Sequence, residues 1–375
     1  MSIRIRFRPP RRASLAAIAA AALVTGGVLA AASVGGTAQA AAHTAAARPA
    51  ASAKPLPCDI YRTDGTPCVG AYSTVRALYT HYSGLLYQVT RASDGATRGI
   101  RPLRPGGVAN AAAQDAFCER TACTITEIFD QSPEHNNLTV EGGGGENPTP
   151  DQGAVADALP VYLGGHKVYG VQIAEGTGYR HDDTNGVATA GEAESMYMVT
   201  SASYVNGGCC FDFGNAETDN DDDGNGHMDA VNFSTRCVRF SPCYGTGPWV
   251  QADLENGLFQ SDEGYSENTL NTGSDYPFVT ALLKNNGQNY FALKVGNAQS
   301  GSLSTNYAGL LPAIQGGGYS PMQQEGAIVL GTGGDNSNAG TGEFFEGVIT
   351  AGLSSDTADD AVQASIVAAG YTAHP

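Results

Sequence analysis

The chain has 375 residues, 42% of them hydrophobic and only 15% charged, with 37 acids against 20 bases and a formal net charge of −17. The first 57 residues hold seven of the bases and no acid, so the rest of the chain is more acidic than the total suggests. A surface this negative repels nucleic acid and anionic membranes and suits neutral or cationic partners.

In chain order, the N-terminus reads first as an export signal. RIRFRPPRR is basic, ASLAAIAAAALVTGGVLAAASVGG is apolar, and AQA at 38–40 has the small residues of a cleavage site. Residues 1–40 are therefore expected to be a signal peptide rather than a membrane anchor. Residues 41–57, AAHTAAARPAASAKPLP, read as an Ala/Pro linker, and 58–375 as one secreted, extracellular domain. No later stretch is apolar for long enough to span a bilayer. Nothing in the pattern asks for an oligomer, so a monomer is expected.

Export makes disulfides expected among the eight cysteines. Cys58 and Cys68, Cys118 and Cys123, and Cys237 and Cys243 lie close in sequence. Pairing these locally leaves the adjacent Cys209 and Cys210 to bond each other or stay reduced. Zinc is disfavoured because no C-x-x-C pair occurs and histidine is sparse. No cofactor motif is present and no bound metal is expected.

From Cys58 onward, short apolar runs alternate with Gly/Asn/Asp/Ser turns. TITEIFD, KVYGVQI, AESMYMVTSASYV, GPWVQADLE, YPFVTALLK, YFALKVG, GAIVLG and GEFFEGVIT predict strands, hence an all-β sandwich of jelly-roll or concanavalin type. Two helices are expected: a short one over 110–118, and one over 356–371 capped by Ser354 or Ser355 with acids in its first turn.

Two stretches carry chemistry. In WVQADLENGLF (249–259), strand alternation sends Val250, Ala252 and Leu254 to one face and Gln251, Asp253 and Glu255 to the other. An apolar set can then enter the core while two carboxylates share a polar face. An ordinary exposed face has the same pattern. In AIVLGTGGDNSNAG (327–340), a strand runs into glycines that allow close approach of a ligand, then Asp335. Gly-Gly-Asp-Asn-Ser is also plain turn chemistry. Together the stretches offer the two acids of a glycoside hydrolase. One protonates the leaving oxygen. The other attacks the anomeric carbon, with the carboxyls about 5–5.5 Å apart, or activates water from about 6.5–9.5 Å.

The acidic run DNDDDGNGHMD (219–229) imitates a calcium loop at Asp219, Asp221, Asp223 and Gly224, but position 12 is Ala230, which supplies no carboxylate. A solvated acidic loop is the expectation, with His227 either a substrate contact or a turn residue. No G-x-S-x-G elbow and no phosphate-binding glycine loop occurs.

The blocks PCDIYRTDGTPCVGAYSTVRALY, GLLYQVTRASDGAT, GGVANAAAQDAFC, CCFDFGNAET, GNGHMDA, GPWVQADLENGLF, GNAQSGSLSTNY, EGAIVLGTGGDNSN and GEFFEGVIT, in order over 58–371, resemble the catalytic domain of glycoside hydrolase family 54. That resemblance implies a β-sandwich enzyme removing terminal α-L-arabinofuranosyl groups with retention, from arabinoxylan, arabinan or arabino-oligosaccharides of the plant cell wall. It implies Glu255 as nucleophile and Asp335 as acid/base. It implies that Asp253, Asn256 and the backbone at Gly334 hold the sugar. It also implies a Cys209–Cys210 disulfide packed against the furanose ring as a rigid apolar plate.

Two departures from the family pattern stand out. Some members carry a sugar-contacting tryptophan in the loop before GPW, whereas the one tryptophan here is Trp249 of GPW itself. Tyr244 or Phe240 is the expected substitute. The family also usually continues into an arabinose-binding β-trefoil; the expectation here is a catalytic domain without one, and hence better action on short arabinosides than on dense polymer. The competing readings are a non-catalytic, lectin-like carbohydrate-binding sandwich and a calcium-stabilised surface protein.

Overall fold

The computed structural model describes residues 54–237, 242–262, 266–313 and 319–373. The expected signal peptide and most of the linker lie outside these residues. Among them are 21 strands and three helices.

A six-stranded antiparallel sheet runs in the order Cys68–Ser73, Glu346–Ala351, Glu194–Thr200, Val279–Asn285, Tyr290–Asn297, Ser304–Leu310. A ten-stranded sheet packs against it. Six of its strands run in the order Leu258–Phe259, Trp249–Asp253, Asp229–Ser234, Asp212–Ala216, Ala327–Leu330, Tyr179–His181. The all-β sandwich expected from the sequence is the architecture found. All eight predicted strand runs contain strand; KVYGVQI and GEFFEGVIT each break into two, at Gly170 and Phe345.

Alternation decides what enters the core. From the ten-stranded sheet, Phe213, Val231, Phe233, Val250, Ala252, Ile328 and Leu330 join the main apolar cluster. Phe213 meets Tyr72 edge-on at 6.0 Å and Phe344 at 5.5 Å. Burying aromatic rings of this size stabilises the sandwich by about 1.5–3 kcal/mol each. The opposite face keeps small or polar groups: Ala216, Ala230, Ala327 and Val329 form a separate cluster beside Asp212, Asn232, Gln251 and Asp253. That outer face is the floor on which the site is built.

The helices staple the edges. Helix α1 (Pro57–Asp64) was not expected; it starts with Pro57, ends at left-handed Gly65, and is tied to the first strand by Cys58–Cys68. Helix α2 (Ala111–Phe117) ends at Cys118, which bonds Cys123 of the next strand. Helix α3 (Asp356–Ala369) has Ser355 as its N-cap, with Ser355 Oγ accepting from the Ala358 amide at 3.1 Å. Asp356 and Asp359 in its first turn both pair with Lys284 and Lys294 of the six-stranded sheet.

Candidate active site

The site assembles from loops at both ends of four neighbouring strands. Cys209 and Cys210 precede strand Asp212–Ala216, and Glu217 follows it. Residues 219–228 lead into Asp229–Ser234. Glu255 follows Trp249–Asp253, and Asp335 follows Ala327–Leu330.

Cys209 and Cys210 are bonded to each other across a cis peptide. The Cys210 amide donates to the Ser337 carbonyl at 2.7 Å, and the Ala339 amide donates to the Cys209 carbonyl at 2.8 Å. The sulfur pair is thereby stitched to the segment just after Asp335. Cys210 Sγ lies 3.6 Å from Asp253 Oδ2. Cys237 and Cys243 form the fourth bond, with Cα atoms 5.8 Å apart.

The strand of the ADLENG motif ends at Asp253, so alternation places Gln251 and Asp253 but not Glu255. The chain turns over 254–257 and returns as Leu258–Phe259. Glu255 sits on this turn with φ +68°, a left-handed conformation uncommon for a residue with a side chain. Its amide donates to Asp253 Oδ1 at 3.1 Å. Its carboxyl group accepts four backbone amides from the acidic loop: Asp223 at 2.9 Å, Gly224 at 2.7 Å, His227 at 2.7 Å, and Gly226. The loop expected to be a solvated acidic turn directs its amides inward as an anion-binding nest. Its own carboxylates cap local amides, as when Asp222 Oδ1 accepts Gly224 and Asp223 Oδ1 accepts Asn225. Asp223, His227 and Glu255 do offer ligand atoms within 4.8 Å of one another. The four amides, however, already occupy the Glu255 oxygens. Asn256 donates to the Gly224 carbonyl at 3.2 Å, locking the turn to the nest. His227 Nδ1 lies 3.3 Å from Glu325 and 3.5 Å from Asp223.

Asp335 lies five residues past its strand, in a loop pinned from several sides. Its Oδ1 accepts the Ser337 amide at 3.0 Å, and its carbonyl accepts the Glu146 amide at 3.0 Å. Arg180, 4% exposed, donates to the Gly334 carbonyl at 2.7 Å and also to the Glu217 carbonyl. At Gly333 an added Cβ would stand 3.5 Å from Cys210 Sγ and 3.6 Å from Asp335 Oδ1, so disulfide and acid share one wall.

The carboxyls crowd together. Burial first, then Glu255, pushes Asp222 up to about 6, and Asp335 adds to the effect. Asp222 therefore feels both acids singled out from the sequence. Burial raises Asp212 to about 7, with Asn232 opposing and Glu217 and Asp335 adding. Asp253 is held well above the usual carboxylate range by burial, then by Asp212.

Sequence reasoning missed Asp212, Glu217, Asp222 and Arg180. Asp212 and Glu217 stand inside the quoted CCFDFGNAET block and were readable there as acids next to the cysteine pair. Tyr319 was also missed; its hydroxyl donates to the Leu254 carbonyl at 2.9 Å and its ring stacks on Phe259 at 6.0 Å. Of the expected tryptophan substitutes, Tyr244 is 43% exposed and accepts the Trp249 indole N–H on its carbonyl, while Phe240 lies outside the described residues.

An all-β sandwich with a carboxyl cluster and a vicinal disulfide on its outer sheet face is the class of molecule these observations define. The family model "Alpha-L-arabinofuranosidase B, catalytic" matches residues 57–372. The alpha-L-arabinofuranosidase B of Emericella nidulans is 53% identical over 84% of this chain and 62% of its own length. An arabinofuranosidase/B-xylosidase of Trichoderma koningii is 52% identical over 85% and 63%. A crystal structure of an arabinofuranosidase complexed with arabinofuranosyl-alpha-1,2-xylobiose superposes with a TM-score of 0.81 at 47% identity, over 85% of this chain and 66% of that one. The chain belongs to the family of α-L-arabinofuranosidase B catalytic domains. It spans about three-fifths of the length of the curated relatives it matches.

Proposed function

We propose that this domain is an exported, exo-acting α-L-arabinofuranosidase that releases terminal arabinofuranose from arabinose-bearing oligosaccharides with retention. Glu255 is the nucleophile and Asp335 the acid/base. The observation that carries the reading is the shared wall: the Asp335 loop, the sulfur pair, Asp253 and the Glu255 turn follow one another in direct contact.

The furanose lies with its less polar side on Cys209–Cys210 and its hydroxyl rim toward Asp253, Asn256 and the Gly334 backbone. Holding the ring there converts a bimolecular attack into an intramolecular one. A Glu255 oxygen attacks the anomeric carbon while the Asp335 proton passes to the departing glycosidic oxygen, leaving a glycosyl ester on Glu255. Asp335, now a carboxylate, takes a proton from water as that water attacks the same carbon and Glu255 departs. Two inversions restore the starting configuration.

A lectin-like sandwich would need the polar groove but not the two acids, so the experiment that separates the readings is chemical. Proton NMR of the first sugar released from a defined α-L-arabinofuranoside should show the α-anomer before mutarotation. The β-anomer would refute double displacement, and binding without hydrolysis would refute the enzyme. The Trichoderma koningii relative's name makes a 4-nitrophenyl β-D-xyloside the natural second substrate to assay.

A further inference from the structure

We propose that the Glu217 carboxyl group is a substrate-binding, specificity-determining group that hydrogen-bonds a hydroxyl of the furanose held between Asp253, Glu255 and the Cys209–Cys210 plate. The inference rests on the arabinofuranosidase reading and assigns that site a third carboxyl.

Glu217 is 1% exposed, and among the described residues neither of its carboxyl oxygens has a hydrogen-bond partner. Buried polar groups left without a partner are rare and call for one. The carboxyl is held in place from behind. Arg180 grips the Glu217 carbonyl and the Gly334 carbonyl with one guanidinium, tying the two residues together. A Cβ on Gly334 would lie 1.5 Å from Glu217 Oε2, so the carboxyl fills the space that any other residue there would take. Gly334 adjoins Asp335, and Asp253 and Glu255, 6% and 8% exposed, are almost as enclosed as Glu217. All three carboxyls are therefore buried at the edge of one sheet face.

The chemistry of the neighbours says what Glu217 contributes. Burial first, then Glu255, Asp253 and Asp222, lifts its carboxyl to about 8, so it is neutral at pH 7 and can donate. Asp212 faces it as well, and Arg180 holds its backbone. A sugar hydroxyl that donates to an ionised carboxylate still has its own lone pairs to satisfy. A neutral carboxyl beside that carboxylate supplies the donor. The arrangement discriminates hydroxyl geometry, because an analogue lacking the hydroxyl leaves the enclosed group unpaired.

The test is a substrate–enzyme cycle. Wild type, Glu217→Ala and Glu217→Gln are assayed on 4-nitrophenyl α-L-arabinofuranoside and on its 2-, 3- and 5-deoxy derivatives. Glu217→Ala should lower kcat/KM on the parent about tenfold. One deoxy derivative, penalised in wild type, should suffer no further penalty in Glu217→Ala. Glu217→Gln keeps a donor and cannot ionise. It should retain most activity at pH 7 and alter the fall in kcat/KM near pH 8 that Glu217 ionisation is expected to give in wild type. Deoxy penalties identical in wild type and Glu217→Ala would overturn the proposal. If that variant fails to fold, an unchanged alkaline limb in Glu217→Gln would overturn it equally. Wild type inert on every arabinofuranoside would refute the activity itself, and the role of Glu217 would fall with it.

Discussion

One of the tightest contacts between the sulfur plate and the Asp335 loop is made at Gly208. A Cβ on Gly208 would stand 1.9 Å from the Ala339 carbonyl oxygen and 2.4 Å from its carbon. Both atoms are backbone, so no side chain can swing aside. Real Cβ contacts stay beyond 3.0 Å. Gly208→Ala must therefore open about 1 Å between residues 208–210 and 337–340, where the Ala339–Cys209 and Cys210–Ser337 hydrogen bonds lie. Overpacking of this kind costs about 1–3 kcal/mol, lowering Tm by roughly 2–10 °C in a domain of this size. A displacement near 1 Å between reacting groups costs about 100-fold in rate. The assay is kcat/KM on 4-nitrophenyl α-L-arabinofuranoside, with Tm by calorimetry. Gly207→Ala is the control, because its nearest neighbour would be 3.4 Å away, an ordinary contact. A folded Gly208→Ala enzyme with kcat/KM within twofold of that control would refute the claim that plate and acid loop work as one rigid wall.

Replacing the proposed nucleophile with its amide, Glu255→Gln, should reduce kcat at least about 1,000-fold while far-UV circular dichroism stays native; substantial turnover would reject the assignment. Asp335→Asn should slow arabino-oligosaccharides far more than the aryl arabinoside, whose leaving group needs little protonation, and equal losses on both would count against an acid/base role. Stability should fall as pH rises from 5 to 8. Glu141, Asp212, Asp222 and Asp229 are all raised, to about 7, 7, 6 and 6, chiefly by burial. Between the ordinary carboxylate range and those values the folded chain binds more protons than the unfolded one, so each added pH unit favours unfolding. Calorimetry should give a Tm at least about 2 °C lower at pH 8 than at pH 5, and a Tm that rises instead would contradict the burial of these acids.

The strands were legible because their apolar runs are bounded by turn residues, and the sandwich followed from their number. Helix α3 was legible through Ser355 and the acids behind it. Helix α1 was not, because its eight residues include a proline and a cysteine, and the disulfide and Gly65 define it more than its periodicity does. At the candidate site, local pattern singled out Asp253, Glu255 and Asp335, and it gave the acidic loop as solvated without showing what its backbone does. Asp219, Asp221 and Asp223 drew attention to side chains because side chains are what a sequence displays. The functional atoms of 223–227 are backbone amides, and glycine at 224 and 226, with φ +74° and +86°, is what turns them to one side. Glu217 escaped notice for a different reason. Its partner in the fold is Gly334, more than a hundred residues away, and a glycine kept clear for a distant carboxyl looks like any turn glycine.

The amide nest also bears on how a double displacement divides its work. Four N–H groups aimed at Glu255 stabilise negative charge on it. If Glu255 is the nucleophile, as proposed, that stabilisation opposes attack in the first step, since the charge is spent in forming the ester. In the second step the same amides meet the charge as it returns, and Glu255 becomes a better leaving group. A nucleophile held this way shifts the barrier toward formation of the glycosyl-enzyme and away from its breakdown. Under the proposed mechanism the first step then depends on what the rest of the wall provides: proton donation from Asp335, and a furanose fixed by Asp253, Glu217 and the sulfur plate so that the anomeric carbon meets an oxygen that need not move. Close coupling between the Asp335 loop and the cysteine pair is the physical condition for that arrangement, and Gly208 and Gly334 are where the backbone makes room for it.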